Sequence, residues 1–132
     1  MGWLLCRRIV CGFTSSNLIF TSPMDNPIEI VSPATFHDML QFHRYVLTDF
    51  YATWCEPCKM LDAMLLRIAP KLEPGIQIVK IDTDRHGSLA ETYNIHSVPV
   101  LMLFVNGEPV WRMNGFMMDE ELIRKVRHEL MK

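Results

Sequence analysis

The sequence predicts an α/β fold, a central mixed β-sheet flanked by helices on both faces. Three observations lead there. Strand-like segments alternate with segments of helical apolar spacing along the body of the chain. Asn106-Gly107 joins the last two strand-like segments and is a strong signal for an antiparallel hairpin. Val100 to Val105 is an unbroken apolar run, the pattern of a strand at a sheet centre. The 132 residues fit one domain, and 49% hydrophobic content suffices for a core without disulfide staples.

The elements follow in order. Asn26-Pro27 is a turn former at the start of the fold. Ile28 to Val31 alternates apolar and polar residues and reads as a short strand. Ser32-Pro33 fits a helix start, with Ser32 as cap and Pro33 in the first helical position. Phe36, Met39 and Leu40 share one side of that helix. Tyr45 to Ala52 reads as a buried strand whose one charge is Asp49. After Cys58 the spacing of Met60, Leu61, Met64, Leu65 and Ile68 is helical, until Pro70 ends or kinks it. Pro74-Gly75 is a turn, Ile76 to Ile81 a strand, and Ser88 to Tyr93 a short helix. Val110 to Met113 pairs back on Val100 to Val105, and Pro109 places it at a sheet edge. Asp119 to Met131 closes the chain as a helix, acidic first and basic later, with Leu122, Ile123, Val126 and Leu130 as its buried stripe.

Residues 27–132 are therefore expected to form the domain. Residues 1–26 are expected to be a poorly ordered leader or a mis-assigned extension. The first 23 residues hold Arg7 and Arg8 and no acid. A signal peptide, a transit peptide, or a true start at Met24 would each account for this. The expected location is cytoplasmic, or exported or organellar if the leader is a targeting sequence. A net charge of -2 gives neither a nucleic-acid footprint nor a polybasic membrane patch. No apolar run is long enough to span a bilayer.

Of four cysteines, Cys6 and Cys11 lie in the leader and Cys55 and Cys58 in the body. A pair three residues apart closes almost no chain, so it is a poor staple and a better reactive centre. Where a strand feeds a helix, Cys55 would sit at the helix N-terminus. Unpaired amides there favour the thiolate, the attacking species in disulfide exchange. Cys55 is thus the candidate nucleophile. Cys58, one turn inside and more buried, would attack the mixed disulfide second. Pro57 fits the first helical turn. The competing reading is half of a zinc site. It needs two more ligands, and neither Cys6 and Cys11 nor the five histidines stand at ligand spacing.

Asp49-Phe50-Tyr51-Ala52-Thr53-Trp54-Cys55-Glu56-Pro57-Cys58-Lys59 resembles the active-site segment of the thioredoxin family. Ile95 with Val98-Pro99 resembles that family's cis-proline loop. Phe104 to Glu108 resembles its hairpin, and Gly115 its following glycine. The likeness runs from about Pro27 to the C-terminus. It implies the thioredoxin fold and dithiol–disulfide exchange on protein substrates, with electrons from a thioredoxin-reductase-like donor. It also implies a monomer with no cofactor beyond the cysteine pair.

The resemblance further implies a role for each matching residue. Asp49 matches a buried aspartate that relays a proton during attack by the second cysteine, and burial should raise its pKa. Lys80 matches a lysine that approaches this aspartate; otherwise it is an ordinary strand lysine. Trp54 flanks the nucleophile and either faces substrate or packs in the core. Pro99 would be cis, with the backbone around Val98 adding the substrate chain as a strand. Three departures stand out. Glu56 replaces a glycine beside Cys55, which disfavours the thiolate. Val98 replaces isoleucine, and Ala63 stands where a kinking proline is common. Met60 and Met64 are assigned to the apolar helix face. Met113, Met117 and Met118 could extend a docking patch, and the histidines are taken as surface residues.

The leading expectation is a protein disulfide reductase. Its alternatives are an exported oxidase or isomerase on the same chemistry, and a non-catalytic binding module on the same fold.

Overall fold

The computed structural model describes residues 27–72 and 74–132. The leader expected over residues 1–26, with Cys6 and Cys11, lies outside the described residues. The chain builds β1 (Ile28–Glu29), α1 (Pro33–Phe42), β2 (Tyr45–Tyr51), α2 (Glu56–Ile68), β3 (Ile76–Asp82), α3 (Gly87–Thr92), β4 (Val100–Val105), β5 (Glu108–Asn114) and α4 (Asp119–Leu130). The strands form one sheet in the order β1-β3-β2-β4-β5. β1, β3 and β2 run parallel, and β4 and β5 continue the sheet antiparallel.

Local chemistry sets the boundaries. Ser32 caps α1, its Oγ accepting from the Thr35 amide at 3.1 Å. α2 ends at Ile68, and Pro70 lies in the 3-10 turn that follows, Ala69–Lys71. Asn106 and Gly107 both take positive φ, as the tight hairpin between β4 and β5 requires. Two expectations need correction. β4 is not at the sheet centre. It lies next to the edge strand β5, and its apolar run reflects cover on both faces, whatever its position. Met60 is not on the buried face of α2; it is 60% exposed, in the first turns near the sheet end.

The sheet is covered on both sides, as expected. On one face Leu47, Ile78, Leu101 and Leu103 pack against Leu61, Met64, Leu65 and Ile68 of α2 and Leu122, Ile123 and Val126 of α4. Leu130 only partly joins that stripe. On the other, Val46, Phe50, Val79, Val100 and Phe104 pack against Phe36 and Met39 of α1 and Leu89 and Ala90 of α3. Alternation along β2 puts Val46 and Phe50 on the second face and Leu47 on the first. Asp49, two residues beyond Leu47, therefore lies under α2, the helix that carries Cys58. No described helix is long and apolar enough to cross a membrane.

Candidate active site

β2 ends at Tyr51, and the chain turns through Ala52 to Trp54 into α2. A Cys55 amide bond to the Ala52 carbonyl, 3.2 Å, closes that turn. Thr83 braces it from the next strand end, with both its amide and its hydroxyl donating to the Tyr51 carbonyl, at 2.9 and 3.1 Å. Cys55 is the N-cap of α2. Its Sγ accepts a hydrogen bond from the Cys58 amide at 3.1 Å. The position holds a thiolate well, because free amides and the positive end of the helix point at the sulfur. Cys55 and Cys58 are joined as a disulfide with their Cα atoms 5.3 Å apart. Both are nearly covered, 4% and 2% exposed, so the difference in burial expected between them is small in the oxidised state.

Val98 packs against the cluster of Ala52, Cys55 and Cys58. The Val98-Pro99 peptide is cis. Two contacts fix its loop. The Gly115 amide donates to the Pro99 carbonyl at 2.9 Å. The Arg112 guanidinium donates to the carbonyls of Tyr93 and Asn94, at 2.7 and 2.9 Å, where the chain leaves α3. Trp54 is 70% exposed, which removes the core-packing reading. Its indole Nε1 donates to Asp84 Oδ2 at 2.9 Å. Asp84 is itself set by a turn in which Asp82 Oδ1 accepts from the Asp84 amide at 2.9 Å. Glu56 and Pro57 are exposed in the first turn of α2, and Glu56 pairs with Lys59 at 2.9 Å.

Asp49 is 0% exposed, and neither carboxylate oxygen has a hydrogen-bond partner. The solvent-facing alternative for it is therefore excluded. Burial pushes its pKa up from 3.8 to about 7; Lys80 pulls it down, and Asp62 and Glu29 push it further up. Lys80 stands beside Asp49 in the β2–β3 register. Its ion pair, however, is with Asp62 of α2, Nζ to Oδ1 2.8 Å. Its Nζ also lies 4.6 Å from the centroid of the Tyr51 ring. The Tyr51 hydroxyl donates to Glu29 Oε1 at 2.6 Å. Burial and that bond both push the Tyr51 phenol up.

Tyr51, Asp62, Glu29 and Asp84 thus join the site without having been singled out from the sequence. Signals for two of them existed. Tyr51 is two residues from Asp49, hence on the same strand face. Asp62 is four residues from Cys58, hence on the same helix face. Among the described residues no cluster of His, Cys, Asp or Glu could hold a metal ion. His86 is less exposed than expected, its Nε2 lying 3.1 Å from the Ile30 carbonyl oxygen.

A disulfide at a helix N-cap, beside a cis-proline loop and above a buried carboxyl, defines a thiol–disulfide oxidoreductase that works without a cofactor. The comparisons agree. The thioredoxin family model matches residues 27–128. A thioredoxin-like protein of the cyanobacterium Synechocystis is 44% identical over 95 residues, covering 71% of this chain and 90% of that protein. Thioredoxin Y, chloroplastic, of rice is 38% identical over 98 residues, covering 74% of this chain and 58% of its own. The chain thus spans little more than half of that rice relative. A mutant thioredoxin from Halobacterium salinarum superposes with a TM-score of 0.74 at 31% identity, over 83% of this chain and 95% of the other. The chain belongs to the thioredoxin family.

Proposed function

We propose that the chain reduces disulfides in protein substrates, with Cys55 as nucleophile and Cys58 as the resolving thiol. The observation that carries this is the N-cap position of Cys55, its sulfur on the Cys58 amide, with the unpartnered Asp49 carboxyl under the same helix. In the reduced enzyme the Cys55 thiolate attacks one sulfur of a substrate disulfide. The substrate S–S bond breaks, one substrate thiolate leaves, and a Cys55–substrate disulfide forms. Asp49, as carboxylate, then takes the Cys58 proton. The Cys58 thiolate attacks Cys55 Sγ, the second substrate thiolate leaves, and the Cys55–Cys58 disulfide is restored. Two electrons pass to the substrate, and Asp49 returns its proton to the leaving thiolate or to water. Lys80 supplies positive charge beside Asp49.

The substrate face is assigned to Trp54, Glu56, Pro57, Val98 and Pro99. Trp54, Glu56 and Pro57 are exposed around the disulfide, and Val98 lies against it. Exposed Met60 extends the apolar part. The rigid loop before β4 suits pairing with an extended substrate segment. Family membership supports a flavoprotein thioredoxin reductase as electron donor, and a monomer formed by residues 27–132 as the working unit. The name of the rice relative supports an organellar location beside the cytoplasmic one expected from the sequence. Mass spectrometry of the native N-terminus decides between a processed precursor and an unprocessed chain.

Insulin reduction, driven by dithiothreitol or by NADPH with a thioredoxin reductase, tests the function. Turnover is expected from the wild type, and complete loss in Cys55→Ser. An inactive wild type would favour the binding module, and an active Cys55→Ser variant would refute the assigned nucleophile.

A further inference from the structure

The lysine next to Asp49 does not bond to it. Asp49 and Lys80 are register partners on adjacent strands, yet both Asp49 oxygens lack a hydrogen-bond partner. The Lys80 ammonium is held elsewhere, 2.8 Å from Asp62 Oδ1 and over the Tyr51 ring. Glu29, the register partner of Lys80 on β1, is engaged by the Tyr51 hydroxyl. Asp62 comes from the helix that carries Cys58, one turn further on. One carboxylate on the cysteine helix therefore fixes where the only cation beside the buried carboxyl sits, among the described residues that act on it electrostatically.

We propose that Asp62 is a positioning residue for the exchange reaction, holding the Lys80 ammonium on the Tyr51 ring and off the Asp49 carboxyl. The inference rests on the reading of Asp49 as acceptor of the Cys58 proton. Without Asp62, the nearest acid for Lys80 is Asp49. A lysine paired directly with Asp49 stabilises its ionised form and makes it a weaker base toward a thiol. With Lys80 tied to Asp62, Asp49 stays unpaired and its pKa stays near 7. The groups around Asp49 are few. β3 supplies Lys80, α2 supplies Asp62 and Cys58, β1 supplies Glu29, and its own strand supplies Tyr51. β4 presents Leu101, and α4 contributes apolar Leu122, Ile123 and Val126 to this face. Removing Asp62 acts in one direction only. It takes away a negative charge and frees a positive one.

The test is the carboxyl carbon resonance of Asp49, titrated in the oxidised protein. Asp62→Asn should lower its midpoint by about one pH unit. Asp62→Glu, which can still reach Lys80, should restore it to within a few tenths. In a Lys80→Met background the effect of Asp62→Asn should shrink to less than half, leaving only the lost repulsion between the two acids. A midpoint that stays put or rises in Asp62→Asn would overturn the proposal. So would an equal fall with and without Lys80. Asp62→Ala is read the same way should the asparagine variant fail to fold. In reduced enzyme, the rise with pH in the rate of mixed-disulfide resolution should move to lower pH in Asp62→Asn. If Asp49→Asn leaves that rate unchanged, the role of Asp49 falls, while the titration still decides whether Asp62 positions Lys80.

Discussion

Asp49 is buried with no partner for either oxygen, so its ionisation works against the fold. In an unfolded chain its carboxyl titrates near 3.8, and in the fold near 7. Well below pH 3.8 both states are protonated and the residue is neutral toward stability. Between the two values the folded chain holds a proton that the unfolded chain has lost. Stability then falls with rising pH by about 1.4 kcal/mol per pH unit. Above pH 7 the loss is complete, at about 4 kcal/mol in the oxidised protein. Asp49→Asn keeps the shape and the unpartnered polar atoms but cannot ionise. The variant should match the wild type in the acid range and exceed it by about 4 kcal/mol at pH 9. Urea denaturation of both oxidised proteins near pH 4 and at pH 9 measures this. A gain that is the same at both pH values, or a variant less stable than the wild type at pH 9, would refute the reasoning.

Other predictions concern the exchange reaction. Cys58→Ser should still attack substrate through Cys55 but stall, so a mixed disulfide accumulates and is visible by non-reducing mass spectrometry. Asp49→Asn should slow resolution at pH 7 by about 100-fold, the lower end for loss of a positioned base, as measured by stopped-flow Trp fluorescence. Trp54→Ala should raise KM for insulin several-fold while leaving kcat with a small disulfide reagent nearly unchanged, because Trp54 is 70% exposed beside the nucleophile. Glu56→Gln removes a negative charge next to Cys55 and so stabilises the thiolate form. The reduction potential should become less negative by about 10–20 mV, the scale of an exposed charge. A more negative value would reverse the sign assigned to Glu56.

The order of strands and helices was legible in the sequence because apolar periodicity reports burial directly. The run from Leu61 to Ile68 and the stripe Leu122, Ile123 and Val126 pack as their spacing implies. Periodicity reports cover, however, and not neighbours. Val100 to Val105 is covered on both faces, and nothing in the run itself says that β2 and not β4 holds the centre. Met60 carries an apolar side chain at helical spacing yet faces out, because the first turns of α2 project past the sheet end. At the site, Cys55, Asp49, Trp54 and Val98-Pro99 were legible as motif positions. The pairing of Lys80 was not. Three acids, Asp49, Asp62 and Glu29, come from three elements, and only the packing of α2 over β2 and β3 brings Asp62 to the ammonium first.

The central claim is that the Cys55–Cys58 pair runs as a reductase. Its reduction potential, measured by equilibrating the protein in dithiothreitol or glutathione redox buffers and trapping free thiols by alkylation for mass spectrometry, tests this most directly. The account predicts a potential near about -270 mV, the handful of millivolts from Glu56 included, low enough to reduce ordinary protein disulfides. A value near about -120 mV, that of a strong oxidant, would contradict it.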